Sequence, residues 1–196
     1  MKKIISSMVI VFSLSIVAIF TQTQNVEAYQ YETYSTKNYN GVTYQKYWPT
    51  SSTTAWQKQA INDQLYRWNS SNGTGVTTPI QVTIAQNKAQ SILDYYYQSN
   101  GFLDDGIVAV TRCMVGTSEV DFRKQNWSSA EITAFGLIYN GLTNSQKIET
   151  WAHETGHGFG LMHNDDNNYQ SIMRSKVWTG LNGPTVNDLA GINYLY

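Results

Sequence analysis

Apolar positions along the chain follow two rhythms. Ile61, Leu65 and Trp68 recur at spacings of four and three, which predicts a helix from about Thr54 to Asn69 with one buried stripe, ended by the small and glycine residues of Ser70 to Gly75. Thr143 and Gln146 have the spacing of a capping box and open a second helix that should reach about Phe159. Along it Ile148, Ala152, Thr155 and Phe159 share a face suited to packing on a sheet, with Trp151 beside them, and the adjacent face carries His153 and His157. The second rhythm is alternation. Gly41 to Tyr47 alternates loosely, and Ile80, Val82 and Ile84 are separated by Gln81 and Thr83. An apolar run covers Ile107 to Val115, Val120 and Phe122 alternate with charged residues, and Ala130 to Tyr139 is a mixed stretch interrupted by Gly136. Four or five strands are expected, with a Tyr- and Gly-rich loop before Ile107. Tyr29 to Asn40 has no period and reads as an arm that frays or lies along the domain.

The first residues change the count of what folds. Lys2 and Lys3, an apolar run from Ile4 to Phe20, and Val26-Glu27-Ala28 read as a secretory signal over residues 1–28, with the mature chain starting near Tyr29. A run of about 17 apolar residues is also at the short limit for a membrane span, but the polar Thr21 to Asn25 and the small-residue site favour cleavage. Of 196 residues, 168 would remain, enough for one domain over 41–196 behind an arm over 29–40. Cleavage removes Lys2, Lys3 and Glu27, which leaves 11 basic and 13 acidic residues and a net charge of −2. That balance gives no footing for nucleic acid, and no membrane contact is expected after cleavage. Charged residues are 14% of the chain, against roughly a quarter in ordinary soluble proteins; neutral polar groups solvate the surface, as suits a secreted monomer. Cys113 is the only cysteine, so no intramolecular disulfide can form, and its place in the Ile107 to Val115 run suits a small apolar filler better than a redox sensor or metal ligand.

The chemistry sits in the second helix. His153 and His157, four residues apart, stack on one face and can point at one ion. Catalytic zinc takes three protein ligands and keeps a fourth position open, so a third ligand has to come from elsewhere. His163 supplies it if the chain turns sharply after the helix, and Gly160 can make that turn in the left-handed region. Glu154 follows the first ligand, beside the metal rather than on it, where a carboxylate can take a proton from an attacking water and pass it to a leaving amine. A purely structural zinc site has no need of that residue. All 3 histidines fall within His153 to His163, which sets the pattern apart from scattered surface histidines.

The stretch His153-Glu154-Thr155-Gly156-His157-Gly158-Phe159-Gly160-Leu161-Met162-His163 resembles the signature of the metzincin zinc peptidases, which continues into a methionine-containing turn. Ser171-Ile172-Met173 looks like that turn, and the resemblance implies that Met173 supports the site as an apolar base without being a ligand. The chain looks most like a minimal matrixin catalytic domain. Gly106 to Val110 resembles its substrate-binding edge strand, Trp56 to Trp68 its first helix, and Asp188 to Tyr196 its closing helix. Asn164 stands where matrixins usually have a small hydroxyl residue, and Arg174 where they usually have proline. Ser175 stands where astacins and serralysins have a tyrosine ligand, so no fifth ligand is expected. The lack of disulfides speaks against adamalysins.

All three histidines are committed to one zinc, which excludes a second histidine zinc site. Asp104 and Asp105, or Asp165 and Asp166, could hold calcium through carboxylate oxygens, though solvated loop charges are the better account of them. Matrixin zymogens block the metal with a propeptide cysteine. Here about a dozen residues separate the predicted cleavage site from the domain and Cys113 lies inside it, so the chain is expected to be active on export or restrained by a separate inhibitor.

The sequence therefore predicts an α/β (α+β) metzincin-like fold, with a twisted, mostly parallel sheet, two long helices and a short C-terminal helix. Zinc would lie in a cleft beside the edge strand. Ile107, Val108, Ala109, Val110 and Thr111 would bind a protein or peptide substrate as an added strand, and Trp178 and Leu181, in the wall from Ser175 to Gly183, would line an apolar pocket. The expected activity is that of a secreted zinc-dependent endopeptidase. The alternative is a secreted binding or adhesion module that uses zinc for stability without turnover.

Overall fold

The computed structural model describes residues 33, 35–100, 106–175 and 178–196. The predicted signal segment, the Asp104–Asp105 pair and part of the expected pocket wall lie outside them.

Helix α1 (Ala55–Asn69) starts where Thr54 accepts from the Gln57 amide at 3.2 Å and the Gln57 side chain accepts from the Thr54 amide at 2.7 Å. This reciprocal cap satisfies two of the donors that a helix start leaves free. Its buried stripe is the expected one, with Ile61, Leu65 and Trp68 essentially inaccessible; each such side chain contributes about 1.5–3 kcal/mol by leaving water. Helix α3 (Asn144–Phe159) is capped in the same way by Thr143 and Gln146. A single helical turn, α2 (Gly136–Tyr139), precedes it, and α4 (Val186–Leu195) closes the chain behind a Thr185–Asp188 cap.

Among the described residues six strands, rather than four or five, form one sheet in the order β2 (Val82–Ile84), β1 (Gln45–Pro49), β3 (Leu93–Gln98), β6 (Ser129–Phe135), β4 (Ala109–Val115), β5 (Ser118–Glu119). β2, β1, β3 and β6 run parallel, while β4 is antiparallel to β6 and to the two-residue β5. The mixed α/β fold is thus the expected one, with a mostly parallel sheet. β3 arises from the stretch read as loop. Leu93, Asp94 and Tyr95 are all buried, so the strand lacks the alternation that marks a half-exposed one. Ala130 to Tyr139 is not one strand, because β6 gives way to α2 at Gly136, where a side chain would meet the Ser99 carbonyl at 2.8 Å. Val120 and Phe122 lie beyond the end of β5.

Strands, α1, α3 and α4 share one core, in which Trp68 donates to the Ala152 carbonyl at 3.3 Å and packs edge-on against Phe159. The Tyr95 hydroxyl, inside that core, lies 2.8 Å from Thr155 Oγ1 and so ties β3 to α3. Of the predicted arm, Thr33 bridges to Leu161 and Asn38 to Trp127. Asn38 donates its amide to the Tyr196 hydroxyl, and that hydroxyl donates to the Phe159 carbonyl at the end of α3. Two positions decide where the site falls. β4 over Ala109–Arg112 pairs, among the described residues, on one side only, with β6, leaving its other edge open beside α3. Gly160 then ends α3 at φ +106 and turns the chain back, with a Schellman-type bond from the Leu161 amide to the Gly156 carbonyl at 2.9 Å. Among the described residues, no helix is long and apolar enough to cross a membrane.

Candidate metal centre

The turn at Gly160 brings three imidazoles to one point. His157 Nε2 lies 3.1 Å from His153 Nε2 and 3.2 Å from His163 Nε2. The outer nitrogens of the two helix histidines explain how their inner ones are aimed. His153 Nδ1 is 2.9 Å from the Ile172 carbonyl and His157 Nδ1 is 2.8 Å from the Leu161 carbonyl. A carbonyl only accepts, so both Nδ1 atoms carry the proton and both Nε2 atoms present a lone pair. Facing lone pairs repel unless a cation sits between them. Tetrahedral zinc with bonds of 2.0–2.1 Å sets nitrogen–nitrogen distances of about 3.3 Å, so the spacing and the donor set both fit that ion. Burial holds all three imidazoles below their ordinary pKa, and repulsion from neighbouring histidines adds to it at His157 and His163, which favours the neutral form that a ligand must have.

Glu154 follows the first of these histidines and is buried beside them. Its Oε2 and its backbone carbonyl lie 2.7 Å and 2.8 Å from Thr111 Oγ1 on the open strand, and the single hydroxyl proton can serve one of them at a time. Burial pushes the Glu154 carboxyl up to about 7, and the Thr111 hydroxyl pulls it back down.

Beneath the histidines, Met173 is fully buried against Gly156. A Cβ at position 156 would overlap the Met173 sulfur and lie 3.2 Å from its methyl carbon, so only glycine lets the turn approach the helix. The turn is itself held by Asp188, which accepts from Ser171 Oγ at 2.5 Å, from the Ile172 amide at 3.0 Å and from the Thr185 amide at 2.8 Å. Burial raises the pKa of this carboxyl, and those donors oppose the rise. Asp188 thereby fixes the carbonyl that orients His153.

The stretch from His153 to His163 fits the metzincin signature. No protein-family model matches the sequence, and no curated protein matches it. Among solved structures the chain is similar to high choriolytic enzyme 1, a hatching enzyme zinc-protease from the medaka fish Oryzias latipes. The two share 17% identity over 81% of this chain and 92% of that one, with a TM-score of 0.43.

Two cavities flank the three imidazoles. One, of about 420 Å³, is lined by Ile107, Val108, Ala109, Glu149, Arg174 and Trp178, and the other, of about 350 Å³, by Val110, Thr111, Phe122, Arg123 and Met162. His163, Glu154 and Ala109 border both. All five strand residues expected to meet a substrate therefore face the cleft, as does Trp178. Leu181 does not join them; it packs against the core and borders a separate groove with Tyr169 and Thr179. Gly160 and Met173 lie where the turn and the base of the site require them. Asp165 and Asp166 bond within their own loop, Asp165 accepting from Ser175 and Asp166 from the Asn168 amide.

Sequence reasoning missed Glu149, whose carboxylate accepts from the Thr179 amide and hydroxyl, each at 2.5 Å, and from the Gly180 amide at 3.1 Å. These bonds tie α3 to the segment after Trp178. It also missed the role of Asp188, although the Thr185-x-x-Asp188 cap signal was present in the sequence.

Proposed function

We propose that the chain is a secreted zinc-dependent endopeptidase in which Glu154 acts as general base. The observation that carries this reading is the convergence of three neutral imidazoles at 3.1–3.2 Å beside a buried carboxylate, at the open edge of a strand. Zinc held by His153, His157 and His163 would acidify the attacking water and polarise the scissile carbonyl.

The chain's own residues account for the rest. An extended substrate pairs with the free edge of β4 between Ala109 and Arg112, so that backbone hydrogen bonds hold it in register. Thr111 donates to Glu154 Oε2 and leaves Oε1 to take the proton of the water. The water oxygen bonds to the carbonyl carbon, the carbon–nitrogen bond breaks, and the proton held on Glu154 leaves with the amine. Trp178 and Ile107 offer an apolar wall to one substrate side chain on their flank. A module that used zinc only for stability would have no use for Glu154, a buried carboxylate facing the cleft with Thr111 as its side-chain partner.

The test is cleavage of an unfolded protein by zinc-loaded wild type and Glu154→Gln. Wild type should cleave internally, and the variant should keep its zinc and melting temperature while losing nearly all activity. Equal cleavage by the two would remove Glu154 from the reaction, and zinc binding without cleavage by either would favour the binding module.

A further inference from the structure

The charged side chains that border the two cavities differ in how far they are engaged. Glu149 accepts three hydrogen bonds from Thr179 and Gly180. Arg174 donates to the Asp166 and Tyr169 carbonyls at 2.7 Å and 2.8 Å and to the Asn167 side chain at 3.3 Å. Glu154 is held by Thr111. Arg123 is the exception among the described residues. Its guanidinium carbon lies 5.4 Å from the centre of the Phe122 ring, and no carboxylate of the described residues lies within ion-pair distance of it; the neighbouring Asp121 pairs with Lys124 at 3.2 Å and accepts from the Arg123 backbone amide at 3.0 Å.

Arg123 borders the cavity that also contains Val110, Thr111, His157 and His163, across the metal site from Trp178. An extended peptide paired with β4 must pass through it. Apart from Arg123 itself, Glu154 and the ligand histidines, the residues bordering that cavity are uncharged, and Glu154 is held by Thr111, so the guanidinium is the charge left to meet a substrate side chain. Phe122 and Met162 offer apolar surface for the methylene part of a side chain, and a planar guanidinium resting on a ring can accept a carboxylate side-on.

We propose that Arg123 is a specificity-determining residue that selects an acidic substrate side chain on the flank of the cleft away from Trp178. This rests on the peptidase reading and names the substrate class that one flank prefers. Arg123 is exposed, so replacing it leaves the core and the histidines untouched.

The test uses unstructured fluorogenic octapeptide sets in which one position at a time carries Glu or Lys, assayed with wild type, Arg123→Ala and Arg123→Glu. At low ionic strength wild type should favour Glu over Lys by roughly fivefold in kcat/KM at one position, all of it on one side of the cleaved bond. Arg123→Ala should abolish that ratio and Arg123→Glu should invert it, while selectivity at positions across the bond stays the same. A ratio that is the same in all three proteins overturns the proposal. Binding of the same labelled peptides to zinc-loaded Glu154→Gln, with and without the Arg123 changes, separates the two readings. Peptides that bind with an Arg123-dependent preference for Glu, yet are never cleaved by wild type, would refute the peptidase and uphold the role of Arg123. Binding indifferent to Arg123 would overturn that role whether or not cleavage occurs.

Discussion

Thr111 Oγ1 lies 2.7 Å from Glu154 Oε2, so the strand that would carry the substrate also positions the carboxylate that would act on it. The hydroxyl fixes which oxygen faces the cleft, and hydrogen bonds to charged groups contribute about 1.5–3 kcal/mol. Thr111→Val should lower kcat/KM by about tenfold or more with zinc content unchanged, and Thr111→Ser should restore most of it. Steady-state kinetics on one peptide substrate checks this; full activity in the valine variant would show that Glu154 needs no partner.

Gly156 is a second point of dependence. A methyl group there would overlap the Met173 sulfur, and Met173 is itself buried with little room to retreat. Overpacking of this kind costs about 1–3 kcal/mol, against about 1 kcal/mol gained from better helix propensity. Gly156→Ala should therefore lower the melting temperature by a few degrees, at about 2–4 °C per kcal/mol for a domain of this size. A calorimetric scan showing an unchanged or higher Tm would mean the methionine turn is looser than its packing indicates.

Asp188 reaches the metal site through the backbone. Asp188→Ala leaves the Ser171 hydroxyl and the Ile172 and Thr185 amides without their acceptor, at a cost of at least about 2 kcal/mol. Because Ile172 orients His153, zinc affinity should also weaken, by about 10- to 100-fold as for other groups that orient ligands. Competition with a chromogenic chelator measures this, and an unchanged affinity would confine Asp188 to capping α4.

Cys113 should be inert in the folded protein. It is 2% exposed and burial pushes its thiol up to about 12. Burial disfavours the charged form, so the reactive thiolate at pH 8 is only about one part in ten thousand. A thiol reagent should find no reactive group in the native protein and one per chain after denaturation. Prompt native-state reaction would mean that β4 opens readily.

Much of this was legible in the sequence because it is local. The Thr54–Gln57 and Thr143–Gln146 boxes mark both long helices, and the spacing of His153, His157 and His163 around Gly160 needs only helix geometry and one turn. What was not legible depends on partners far along the chain. β3 lacks a period because Leu93, Asp94 and Tyr95 are buried together, with Asp94 accepting from Ser91 on the face opposite Tyr95. Leu181 looks like a pocket residue by composition, but the bonds from Glu149 to Thr179 and Gly180 fix its segment so that it faces the core. Arg123 could not be singled out until its neighbours' pairings were visible.

The most direct measurement is a zinc titration of metal-free protein, followed by the rate of hydrolysis of an unstructured peptide. Activity should rise in proportion to added zinc and level off at one ion per chain. If zinc binds at that stoichiometry and no hydrolysis appears at any point of the titration, the peptidase account is contradicted.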